Sequence, residues 1–141
     1  MRYISTDERP IDMGMLREVM RGAHPDFRIN SNGLLTFHSA AIADIEINMP
    51  ADDIFGEEIE QLAAVAHGHG HGTGPNLTLV SGCLRAARTI VAVQVLFEDL
   101  DEQSLDALQP LWKWLFDNRK GLLQADGEGF WRESTLLLRR D

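Results

Sequence analysis

The sequence predicts an α+β fold: a single domain spanning residues 1–141, built on a mostly antiparallel β-sheet with helices packed on it. Three observations carry that reading. Thr89-Ile-Val-Ala-Val-Gln-Val-Leu-Phe97 is apolar on both alternating faces, which marks a strand covered on both sides and placed inside a sheet. The segment after it sets Leu105, Leu108, Leu111, Trp112, Leu115 and Phe116 within roughly one third of a helical wheel, a core-facing stripe. Asn32-Gly33 between two short apolar runs is a strong hairpin signal.

Taken in order, residues 1–9 are polar and read as loosely packed. Pro10 or Asp12 can open a helix whose apolar face is Met13, Leu16, Val19 and Met20, and Gly22 and Pro25 stop it. Residues 26–38 read as the hairpin turning at Asn32-Gly33. In Ile42–Asn48, Asp44, Glu46 and Asn48 share one face and Ile45 and Ile47 the other, although Ile42-Ala43 fits the alternation imperfectly. That is a half-buried strand with an acidic outer face. Asp52 or Asp53 is placed to cap a helix over 53–66, with Glu57 and Glu58 suited to its positive end.

His67-Gly-His-Gly-His-Gly-Thr-Gly-Pro75 reads as a flexible loop. In residues 76–88, the helical spacing of Val80, Cys83, Leu84 and Ala87 outweighs the alternation of Leu77 and Leu79. A strand at 77–81 would instead give a ferredoxin-like arrangement. Asp99-Leu-Asp-Glu102 can open a long helix to residue 119. Pro110 then requires either a kink or a helix that begins there. Gly121 is placed as its cap. Leu122-Leu-Gln-Ala125, a turn at 125–129, Phe130-Trp131 and Leu136-Leu-Leu138 complete the strands.

Composition bounds the function classes. No apolar run approaches the ~20 residues of a membrane helix, and the N-terminus has no apolar h-region of a secretory signal. A single cysteine, Cys83, cannot form an internal disulfide, and the expected location is the cytoplasm. The net charge is −9, and it is uneven: between Arg28 and Arg85 there is no Lys or Arg but seven acids, leaving 15 acids against 13 bases elsewhere. Such a surface repels nucleic acid and membrane headgroups and attracts basic proteins.

Four features could carry chemistry. His67, His69 and His71 can converge on a transition metal (Zn, Ni or Cu), with a carboxylate of the acidic segment as fourth ligand. Asp126, Glu128 and Glu133 form a carboxylate group, although a glycine-flanked turn is usually solvated. Cys83 is a nucleophile only if exposed, and its apolar neighbours argue for burial. Trp114 lies off the apolar stripe of its helix and, with Asp44 and Glu46, makes a candidate surface for a homo-oligomer or a basic protein partner. There is no G-x-S-x-G, G-x-G-x-x-G or P-loop. The leading expectation is therefore a non-catalytic protein-binding or assembly module with an acidic face. The alternative is a small metal-dependent enzyme using the histidine loop.

Overall fold

A computed structural model describes residues 1–68, 74–96 and 106–139. Its elements are β1 (Arg2–Ser5), α1 (Met13–Ala23), β2 (Phe27–Ile29), β3 (Leu34–Phe37), β4 (Ala40–Asn48), α2 (Phe55–His67), α3 (Pro75–Arg85), β5 (Thr89–Val95), α4 (Gln109–Asn118), β6 (Gly121–Ala125), β7 (Gly129–Arg132) and β8 (Thr135–Arg139). The eight strands form one sheet in the order β2-β3-β4-β5-β1-β6-β7-β8, and each neighbouring pair is antiparallel.

The sheet has a separate core on each face. Tyr3, Leu35, Ala43, Ile45, Val91 and Val93 pack with Leu16 and Met20 of α1 and Leu111 and Leu115 of α4. Ile4, Ile90, Leu122 and Phe130 pack on the other face with Leu62 and Ala66 of α2 and Val80 and Leu84 of α3. β5 is thus an interior strand with helices over both faces, which is why its sequence is apolar on both sides.

Several local expectations are corrected. The first residues are not loosely packed: β1 lies between β5 and β6, and Tyr3 and Ile4 are fully buried. Their burial is supplied by strands about a hundred residues away, so nothing in the local composition announces it. Residues 77–81 are helical, within α3, so the ferredoxin-like arrangement does not arise. The carboxylate of Asp52 accepts from the Met49 N–H at 2.7 Å, and α2 begins behind Ile54 without a side-chain cap.

Pro110 sits in the first turn of α4, where its missing N–H costs no helical bond. The acids at 99–102 lie outside the described residues. Gly121 opens β6, and α4 ends at Arg119 in extended backbone. Asp12 does cap α1, its Oδ1 accepting from the Met15 N–H at 2.9 Å.

The imperfect alternation at Ile42-Ala43 has a structural cause. Leu35 faces Ala43 and Thr36 faces Ala41, so Ile42 is the extra residue of a β-bulge. Both Ile42 and Ala43 then join the same core. A second bulge at Leu137 sends both Leu137 and Leu138 into the opposite core. Each sheet edge has a side chain on its carbonyls. Arg17 Nε donates to the Ile29 carbonyl at 2.9 Å on β2, and Asn76 Nδ2 donates to the Leu137 carbonyl at 3.0 Å on β8. Such contacts occupy acceptors that another strand would otherwise use.

Candidate functional site: a polar cleft on the sheet

The α2/α3 face is not fully covered. Strand register builds a row of side chains across it: Glu46 of β4 faces Ala92 of β5, Ala92 faces Arg2 of β1, Arg2 faces Gln124 of β6, and Gln124 faces Phe130 of β7. Asp44 and Gln94 make the next step outward. Asp44, Glu46 and Gln94 are all exposed. The helices end short of this region because the rows beneath them, from Ile90 through Ile4 to Leu122, are the apolar ones. What remains is a cleft of about 690 Å³ lined by Arg2, Asp44, Glu46, Glu58, Gln94 and Asp126, among others.

Glu58 reaches into the cleft from α2. Its Oε1 accepts from Asn48 Nδ2 at 2.6 Å. Its Oε2 lies 3.5 Å from Arg2 Nε, an ion pair without hydrogen-bond geometry, and is buried with no hydrogen-bond partner. Burial raises the pKa of Glu58, and the negative charge of Glu46 adds to the rise against the opposing pull of Arg2 and Asn48.

On the far side, Asp126 accepts from the Met1 ammonium at 3.0 Å and from Gln124 Nε2 at 3.1 Å. Burial would raise its pKa, but the ammonium and the amide outweigh it and hold the carboxyl low. Asp44 and Glu46 have no basic partner within 4.0 Å among the described residues. Four carboxylates thus face one guanidinium and one ammonium that is already engaged.

The histidine expectation is corrected. His67 is the exposed last residue of α2, and His69 and His71 lie outside the described residues. Among the described residues, no group of three His, Cys, Asp or Glu is placed to hold a metal ion. The geometry explains why the acidic segment adds no ligand. Glu60, the acid nearest to His67 on α2, is seven residues away, roughly 10 Å at 1.5 Å per residue. The Zn or Ni site, and the metal-dependent enzyme built on it, therefore find no support in the fold.

Comparison with family models, with curated proteins and with solved structures finds no match.

The other sequence candidates separate. Asp126 lines the polar cleft, whereas Glu128 and Glu133 line a different cleft on the opposite face. Cys83 packs against the second core, and burial pushes its thiol up to about 11, which suits a hydrophobe and not a nucleophile. Trp114 is half-buried beside α1, with the Arg119 guanidinium 5.1 Å from its ring. No helix among the described residues is long and apolar enough to cross a membrane.

Sequence reasoning found Asp44 and Glu46 because strand alternation displays them. It missed Arg2, Gln124 and Asp126 as their companions because strand pairing alone brings them there. It gave Glu58 to the helix dipole. The usable signal was Asn48, a buried polar residue ending an acidic alternation, which needs a polar partner.

Proposed function

We propose that this chain is a non-catalytic binding module whose polar sheet cleft receives a basic segment of a partner protein. The observation that supports this reading is the pair Asp44 and Glu46. They are exposed in adjacent rows of one sheet face, lack a cationic partner among the described residues, and stand beside the unsatisfied Glu58 Oε2. A guanidinium or ammonium entering there would meet acceptors on three sides. The cleft offers acceptors and charge, with no Ser, Thr, Cys, Lys or His among its lining residues. The uneven acidity of the chain would speed encounter with a basic partner.

The test is fluorescence anisotropy with a labelled arginine- and lysine-rich peptide. Exposed ion pairs contribute about 0.2–1 kcal/mol each, so Asp44→Asn with Glu46→Gln should weaken binding roughly 2- to 30-fold. Glu57→Gln with Glu60→Gln, on exposed positions of α2, removes the same net charge and should change affinity much less. Equal losses in the two double variants would mean that only net charge is sensed, and would remove the cleft from the explanation.

A further inference from the structure

The opposite face of the sheet carries a second cleft of different chemistry. Its inner wall is fixed: α4 packs on β1, and Phe116 stands edge-on to Tyr3 with ring centroids 5.1 Å apart at 80°. Farther out, Trp131 of β7 and its register partner Leu136 of β8 are half-buried and belong to neither core. Between α4 and these strands lies a space of about 450 Å³. Trp112 and Phe116 line it from the helix, and Leu123 and Trp131 line it from the sheet. Aromatic surface therefore comes from two elements that the fold holds apart.

The rim is acidic. Asp117 is occupied by Lys113 at 2.7 Å. Glu128 and Glu133 make no ion pair among the described residues. Glu133 also occupies a costly backbone position. It is the first residue of the two-residue turn between Arg132 and Thr135, with φ +52. A turn of this kind favours Asn or Gly there. The turn does not call for a glutamate, but the cleft it borders can use one.

We propose that this cleft binds a small alkylated ammonium group, its methyl groups against the indole and phenyl rings and its charge toward Glu128 and Glu133. Aromatic faces attract a desolvated cation through the ring quadrupole, and unpaired carboxylates add direct attraction. The same chemistry could arrive as a free amine or as a methylated lysine of a partner.

Tryptophan fluorescence titration tests the proposal. Three probes are compared: choline, its neutral isostere 3,3-dimethylbutan-1-ol, and a peptide carrying trimethyl-lysine. The expected result is a saturable change with choline, and binding of the isostere weaker by roughly 2- to 30-fold, the range a cation–π contribution supplies. Tighter binding of the peptide than of choline would assign the site to a partner side chain, and the reverse to a free amine. Trp131→Leu keeps the apolar wall, removes the π face on the sheet side, and should reduce the preference for the cation. Glu133→Asn should move two readouts in opposite directions, raising the melting temperature by relieving the turn while weakening choline. No saturable response to choline or the peptide, or equal affinity for choline and its isostere, overturns the proposal.

Discussion

At the scale of single residues, two side chains show how burial and polarity are reconciled. Tyr3 is fully buried, yet its hydroxyl donates to the carbonyls of Leu115 and Arg119 at 3.2 and 3.0 Å. It ties the end of α4 to the middle of the sheet. Tyr3→Phe should cost about 1–2 kcal/mol, measured by urea unfolding, because it leaves a helix-end carbonyl short of a donor. Glu58 is the reverse case, a carboxyl held in a place that disfavours its charge. Its folded pKa lies above the ordinary 4.5, so the native state binds the proton more readily than the unfolded chain. By linkage, its contribution to stability falls as pH rises from about 4.5 through the raised value. Glu58→Gln keeps an acceptor for Asn48 and removes the charge. Its stability relative to the parent should increase across that window, as read from melting curves at successive pH values. A constant difference would show that Arg2 compensates the carboxylate fully. Asp44 and Glu46 were legible because a strand displays alternate residues in the sequence itself. Tyr3 was not, because the carbonyls it satisfies come from more than a hundred residues away.

At the scale of elements, most of the architecture was readable. The hairpin at Asn32-Gly33, the acidic strand and the doubly covered strand β5 all follow from local periodicity. So do α1 and α2, although the cap of α2 does not, since Asp52 turns back toward Met49; α3 was open, because the alternation of Leu77 and Leu79 and the presence of Gly82 competed with its helical spacing. The Ile42 bulge was present in the sequence as a broken alternation whose meaning needed the partner strand. Turns carry the sharpest element-level prediction. Gly129 opens β7 at φ +135, and a Cβ there would strike the Leu138 carbonyl across the β7–β8 ladder. Gly127, two residues earlier in the turn between β6 and β7 at φ +81, has open space around it. Both alanine variants incur the left-handed penalty of about 1–3 kcal/mol. Gly129→Ala should therefore lose measurably more stability than Gly127→Ala in chemical denaturation. Equal losses would mean that the ladder shifts freely at that point.

At the scale of the whole molecule, the strand order was the part that sequence could not supply. Periodicity identifies strands but does not say which of them are neighbours. The cleft depends on that order, since Glu46, Arg2 and Gln124 share a row only because β1 lies between β5 and β6. Deleting residues 2–5 would remove an interior strand with its two ladders, together with the buried Tyr3 and Ile4. Circular dichroism should then show loss of cooperative unfolding for the entire domain, and not merely a fraying at one end. A variant that still melted in one sharp transition would show that β5 and β6 can meet directly.

The placement of β1 also orders events during synthesis. β1 precedes both of its neighbours in the chain, which lie at residues 89–95 and 121–125. At ribosomal rates of about 5–20 residues per second, roughly 6–23 s separate the appearance of Ser5 from that of Gly121. Through that interval Tyr3 and Ile4 travel on a nascent chain without a permanent home. A chain cut short before Gly121 would carry β1 with one flank still seeking a mate, since the whole β1–β6 ladder runs from Gly121 to Gln124.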